Sequence, residues 1–148
     1  MRRWGRPLAL EFEARSLRIG ERAGQTWGIA FNWNFIGLAH LMKGNHDQAL
    51  AALEQSLKIR EGLGDRWGLA YSYCGLAELY CALGDWDRAQ EYCRQTLDSA
   101  RQVGLREQEA CASRILGMAS RGQGHWSGAI EHFDESLRMF HAIGMERE

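Results

Sequence analysis

The sequence has little net charge, no long apolar run and only one proline, and each of these absences limits what the protein can be. Its 18 lysine and arginine residues nearly balance 19 aspartate and glutamate residues, and the two signs are interspersed along 148 residues. A basic surface that would concentrate a nucleic acid is therefore not expected. No apolar run approaches the roughly 20 residues that span a bilayer, so we predict no membrane partner either.

A secretory signal is also missing. The segment 1–7 holds three arginines, but no apolar stretch follows them as a signal peptide requires. We therefore expect a cytoplasmic protein whose cysteines remain reduced thiols. These are Cys74, Cys81, Cys93 and Cys111.

Strand patterns are absent too, and the pattern that is present decides the fold class. No segment alternates apolar and polar residues as a half-buried strand does, and the only proline, Pro7, stands where a helix can start. Apolar residues instead recur three and four positions apart, as in Leu50, Leu53 and Leu57. The sequence therefore predicts an all-α protein.

A repeat of 40 residues organises the chain. The stretch 64–70, GDRWGLA, matches 24–30, GQTWGIA, and further glycines lie midway between these starts. A fixed period of this kind indicates a solenoid of helix pairs. The midway glycine, such as Gly44, is expected to end the first helix in a left-handed conformation. Asn45 and Asp85 are expected to cap the helices that follow.

The 40-residue repeat also predicts how the chain is divided into units. We expect a single array over 1–148, in which 7–23 is the orphan second helix of a truncated repeat. The segments 24–63, 64–103 and 104–143 are complete repeats, and 144–148 starts a repeat that is cut off. In the last complete repeat Ile130, Phe133 and Leu137 should face inward, whereas Phe140 and Ile143 form an exposed apolar edge. Such an edge favours self-association and suggests a piece of a longer protein.

Several landmarks of the repeat carry a family resemblance. They are an aromatic residue in the first helix, a Leu-Ala or Leu-Gly pair after it, and a small residue in the second helix, as in Tyr73, Leu76-Ala77 and Ala89. The pattern resembles the tetratricopeptide repeat (TPR) from Leu8 onward. Its 40-residue period exceeds the usual length of about 34, and no unit has the usual proline near its end. In this it is similar to the longer repeats found C-terminal in large bacterial transcriptional activators and signalling proteins.

The resemblance implies a right-handed α-solenoid of antiparallel helix hairpins, with about seven helices. It further implies a non-catalytic scaffold for protein–protein interaction, or a regulatory repeat segment, within a larger multidomain signalling or transcription-regulating protein. A structural module that stacks end to end on itself is the alternative. The identity of the partner, the oligomeric state and the pathway stay open.

No pattern points to catalysis, a metal or a cofactor. The glycine-rich stretches 62–68 and 122–128 miss the dinucleotide spacing by one residue, and neither follows a strand. Cys74 and Cys81 are two turns apart on one helix, about 10.5 Å along its axis, which is too far for a disulfide. Nothing brings an acid, a base and an oxyanion donor together, so we do not predict an enzyme.

The resemblance also indicates where a partner would bind. In TPR arrays the first helix of each hairpin lines a concave groove, and equivalent positions of successive repeats lie side by side. Transferred to this chain, these positions predict a groove that is apolar at one end and basic at the other. The expected occupant is a protein or peptide segment, from a partner or from another domain of the same polypeptide. The predicted groove residues are Phe31, Asn34, Leu38, Leu41, Met42, Cys74, Glu78, Cys81, Arg114, Met118 and Arg121.

Overall fold

A computed structural model describes the backbone of residues 6–146 and the side chains of Arg18 and residues 21–146. Across this range the chain forms six α-helices and no strand. The predicted all-α class is therefore confirmed, with six helices where about seven were expected. The helices are α1 (Arg6–Met42), α2 (His46–Leu63), α3 (Arg66–Leu83), α4 (Trp86–Val103), α5 (Arg106–Gly122) and α6 (Trp126–Glu146).

Short turns at glycine separate the helices. Gly64 has a φ of 64°, a left-handed value that favours glycine, and four further glycines adopt the same conformation at the other turns. Asp85 caps α4 as predicted, because its Oδ1 accepts a hydrogen bond from the Arg88 amide at 3.2 Å. The predicted cap by Asn45 is wrong. The Asn45 side chain makes no cap bond to α2, and its Nδ2 lies 3.3 Å from His40 Nδ1 instead.

The six helices pack as three consecutive hairpins, α1 with α2, α3 with α4 and α5 with α6. Helix α3 also contacts α1 and α5, so these three first helices form one layer of a helical-repeat solenoid. Glycine permits the close approach within the first and the third hairpin. A Cβ at Gly37 would lie 2.6 Å from Leu53 Cγ, and one at Gly117 would lie 2.7 Å from Phe133 Cε1. The buried core runs through α3, with Leu76, Leu79 and Ile115 fully enclosed.

The first helix differs from the sequence-based expectation. The chain was expected to end one helix near residue 23 and to begin another, yet α1 continues through Gly24 to Met42. Gly24 does not have the positive φ of the turn glycines. The Thr26 hydroxyl donates to the Arg22 carbonyl one turn earlier at 2.8 Å, so the helical path persists across this point.

The last helix differs at its outer face and at its end. Leu137 and Ile130, which were expected to face inward, are 67% and 61% exposed. Within the described residues no helix follows α6 to cover this face, so only the side against α5 is enclosed. Gly144 lies inside α6 rather than at a turn, because its φ is not positive. Of the expected cut-off repeat, residues 147–148 lie outside the described part of the chain.

Candidate functional site

A cavity of about 260 Å³ opens on the layer formed by α1, α3 and α5. Its wall combines aromatic rings, two thiols and four polar or charged side chains. Helices from all three hairpins contribute, so the cavity exists only where successive hairpins are stacked. The lining residues are Phe31, Asn34, Phe35, Leu38, Arg60, Tyr71, Cys74, Gly75, Glu78, Gln108 and Cys111.

Aromatic side chains form a continuous ladder along one rim of this cavity. On α1 the ring of Phe31 lies 4.7 Å from Phe35 and stacks on Trp27 at 5.4 Å between ring centroids. The ladder crosses to α3 through the contact of Trp27 with Trp67 at 6.5 Å, and continues to Tyr71 at 4.8 Å. A spacing of four residues, about one helical turn, produces these contacts within each helix. The rings remain partly exposed, so they offer an apolar surface to a ligand.

Two buried polar side chains of the cavity wall have unpaired atoms. Asn34 is only 6% exposed, and its Oδ1 has no hydrogen-bond partner among the described residues. Arg60 is 1% exposed; its Nη1 donates to the Gly68 carbonyl, while its Nε has no partner in the same range. Burial lowers the pKa of the Arg60 guanidinium, and Asp65 partly opposes this effect. A buried acceptor left unpaired is destabilising unless a bound molecule supplies a donor.

An ion pair bridges α3 and α5 beside the cavity. Arg114 Nη2 donates to Glu78 Oε1 at 2.6 Å, and both side chains are about one-third exposed. The second guanidinium nitrogen, Nη1, lies 3.5 Å from Met118 Sδ. The positive charge expected at this end of the groove is therefore partly neutralised within the chain itself.

Two thiols of the wall, one from α3 and one from α5, shift each other's pKa. These are Cys74, which is buried, and Cys111, which is partly exposed. The hydrogen bond from Cys74 lowers the pKa of Cys111 to about 7, with help from Arg114. The same contact and its burial raise the pKa of Cys74 well above the usual range.

The structure brings together part of the predicted groove. Phe31, Asn34, Leu38, Cys74 and Glu78 line the cavity, and Arg114 with Met118 adjoins it through the ion pair. The remaining four positions do not line it. Cys81 is buried, Leu41 is half-buried, and Met42 and Arg121 are exposed further along their helices.

Six lining residues were not predicted. Tyr71 and Cys111 stand 40 and 80 positions after Phe31, so the register that relates Asn34 to Cys74 could have found them. Gly75 follows Phe35 by the same 40 positions. Arg60 enters from α2, a second helix, and no rule about first helices could have placed it there.

Comparison with known families identifies the fold. A profile of the tetratricopeptide repeat matches residues 68–141, half of the chain, and another tetratricopeptide repeat profile matches residues 32–62. The chain belongs to the tetratricopeptide repeat family. No curated protein matches the sequence.

Solved TPR structures resemble this TPR chain in fold. The crystal structure of the TPR domain of Arabidopsis FLU superposes with a TM-score of 0.71 at 14% identity, covering 79% of this chain and 98% of that one. A TPR-like protein from Chlorobium tepidum TLS gives a TM-score of 0.68 at 18% identity, covering 80% and 83%. Identities this low establish the architecture alone.

TPR repeats generally mediate protein–protein interaction and are generally not catalytic. The described part of this TPR chain contains no group of three or more His, Cys, Asp or Glu side chains arranged to hold a metal ion. None of its described helices combines the length and the hydropathy that a membrane crossing requires.

Proposed function

We propose that this chain is a non-catalytic docking module that binds a segment of another protein, or of another domain, in the cavity between α1, α3 and α5. The observation that carries the proposal is the unpaired, buried Oδ1 of Asn34 beside a partly exposed aromatic ladder. A peptide matches both features. Its backbone N–H groups can donate a hydrogen bond to the Asn34 oxygen, and an apolar side chain can lie against the aromatic rings.

The charges beside the cavity indicate which kind of peptide segment would bind in it. Glu78 already pairs with Arg114, so the rim presents a near-neutral ion pair rather than free positive charge. The buried Arg60 guanidinium lies deeper in the wall. We therefore expect affinity to come mainly from an apolar or aromatic anchor and backbone hydrogen bonds, with acidic groups of the segment contributing less.

Asn34→Leu tests this proposal. The substitution is nearly isosteric and removes a buried acceptor that has no partner, so the free energy of unfolding should stay unchanged or rise. Binding of a peptide should weaken by about tenfold, because its N–H would lose the acceptor. The probe is a fluorescent peptide selected from a random library on the parent protein, with affinity measured by anisotropy and stability by urea titration.

Matched surface variants provide the control. Phe35→Asp places a charge on the exposed ladder at the cavity, and Ile130→Asp places the same charge on the exposed face of α6. Only the first should abolish peptide binding. Equal affinity in the parent, Asn34→Leu and Phe35→Asp proteins would mean that the cavity is not the docking site.

A second candidate function, self-association, rests on the outer face of α6. Trp126, Ile130, Leu137 and Phe140 are exposed at intervals of four, seven and three residues, which places them along one face of the helix. We expect the chain to associate as its concentration rises, and Leu137→Glu to reverse this in sedimentation velocity runs. A parent protein that sediments as a monomer at every concentration would remove this candidate.

The proposal includes the wider organisation of the chain. By its 40-residue register it divides the array into units 24–63, 64–103 and 104–143, with partial units at 7–23 and 144–148. Helix α1 runs through the first of these boundaries and α6 through the last. It also treats the array as a regulatory segment of a larger cytoplasmic signalling or transcription-regulating protein, supported by the similarity of its long repeats to those of bacterial activators. Neither catalysis nor direct nucleic-acid binding is part of the proposed role.

A further inference from the structure

The cavity wall contains a pair of thiols that the docking function does not use. We propose that Cys74 and Cys111 form a redox-active pair, in which hydrogen peroxide oxidises Cys111 and Cys74 then closes a disulfide between α3 and α5.

The placement of the two residues favours an intramolecular reaction. Cys74 belongs to the middle of α3 and Cys111 to the first half of α5, and these helices are packed against each other. Both side chains line the same cavity, and each thiol shifts the pKa of the other. Cys111 is partly exposed whereas Cys74 is 7% exposed, so a dissolved oxidant reaches Cys111 first.

The surrounding charges activate one thiol of the pair. The hydrogen bond from Cys74 and the guanidinium of Arg114 stabilise the thiolate of Cys111, which lowers its pKa to about 7. Burial and the carboxylate of Glu78 oppose this effect without reversing it. Near neutral pH, Cys111 is thus a partly ionised nucleophile beside the protonated Cys74, and the thiolate is the form of cysteine that reacts with peroxide.

The other two cysteines differ in these respects. Cys93 is fully buried, and burial raises its pKa to about 12. Cys81 is also buried, and desolvation raises its pKa despite the nearby Arg114 and Arg121. Neither should react with peroxide at a comparable rate.

The reaction proceeds in two balanced steps. The Cys111 thiolate attacks one oxygen of hydrogen peroxide, the O–O bond breaks, and protonation of the departing hydroxide gives water and a sulfenic acid on Cys111. The sulfur of Cys74 then attacks the sulfenic sulfur and loses its proton. The S–O bond breaks, the second water leaves, and the disulfide forms. Overall, two thiols lose two electrons and two protons while one peroxide becomes two water molecules.

The test treats the full chain with hydrogen peroxide at neutral pH. We expect the intact mass to fall by two hydrogen atoms, a non-reducing peptide map to join Cys74 to Cys111, and dithiothreitol to restore the starting mass. Cys81→Ser is the matched control and should still form the disulfide. No peptide partner is required, so this result is independent of the docking function.

Two substitutions of Cys74 separate its roles. Cys74→Ser keeps a hydrogen-bond donor but cannot resolve the sulfenic acid, so dimedone should label Cys111 after peroxide treatment. Cys74→Ala also removes the donor, and alkylation of Cys111 by iodoacetamide at pH 7 should slow by about tenfold. If Cys111 oxidises no faster than Cys81, or if the disulfides join separate chains, the proposal is wrong.

Discussion

Individual residues decide how close the helices can come, and Gly68 is the clearest case. Its amide donates to the capping carboxylate of Asp65 at 2.9 Å, and its carbonyl accepts from the buried Arg60. A Cβ at this position would lie 2.8 Å from Arg60 Cδ and closer still to Asp65 Oδ2. The absence of a side chain at Gly68 therefore allows the N-terminal cap of α3 and the C-terminal end of α2 to pack against each other.

Gly68→Ala should lower the free energy of unfolding by about 1–3 kcal/mol, because the methyl group displaces both the cap and the buried guanidinium. The control is Gly62→Ala, at an exposed helical glycine with nothing within 4 Å of its Cβ position. That change should stabilise by about 0.5–1 kcal/mol, since alanine favours the helix. Urea titrations of both variants would contradict the packing argument if the two changes had the same sign.

Among whole elements, α1 is where sequence pattern and structure diverge. The sequence places a glycine at every twentieth position from Gly24 to Gly144, and by their spacing alone these positions are equivalent. The five from Gly44 to Gly124 have positive φ and end helices, whereas Gly24 and Gly144 lie inside helices. A glycine ends a helix only where the packing of the neighbouring helices stabilises a turn. A sequence pattern gives no information about that packing.

Alanine at Gly24 distinguishes a continuous helix from a broken one. Gly24→Ala should raise the helical far-UV circular dichroism signal and stabilise α1 by up to about 1 kcal/mol. Gly64→Ala should instead destabilise the protein by about 1–2 kcal/mol, because its φ of 64° is unfavourable for a residue with a Cβ. A loss of stability at Gly24 as large as that at Gly64 would mean that the helix turns at residue 24.

At the scale of the whole molecule, the sequence predicts most of the structural features that recur from one repeat to the next. The all-α class and the left-handed turns at the midway glycines, such as Gly44, follow from positions that recur. Ser56 is fully buried and donates to the Ala30 carbonyl at 2.8 Å, which joins α2 to α1. Ser136 makes the corresponding bond to the Ala110 carbonyl in the last hairpin.

What the sequence does not predict depends on contacts that do not recur. The Cys74–Cys111 pair joins different positions of two repeats, so aligning repeats cannot reveal it. Arg60 enters the cavity from α2 because Gly68 leaves room beside its stem. The exposure of Leu137, whose register equivalents Leu57 and Leu97 are half-buried, depends on its position at the end of the array.

The distribution of buried residues predicts how the molecule opens. Ten residues of α3 are buried, against only Ala129 and Ser136 in α6, and α3 is the helix packed by neighbours on both sides. In a solenoid each hairpin is stabilised mainly by its neighbours, so the last helix should open without the middle one. We expect amide hydrogens of α6 to exchange at least about tenfold faster than those of α3 under native conditions.

The substitution Phe133→Ala tests whether α6 can open independently of α3. The ring of Phe133 fills the space that the missing side chain of Gly117 leaves, so its removal should loosen the contact between α6 and α5. Exchange in α6 should then accelerate while protection at Leu76 and Leu79 in α3 stays unchanged. Leu76→Ala is the counterpart in the fully buried core, and it should accelerate exchange in all six helices together. If Phe133→Ala accelerated α3 and α6 equally, the described residues would unfold as one cooperative unit and the hairpins would have no separate stability.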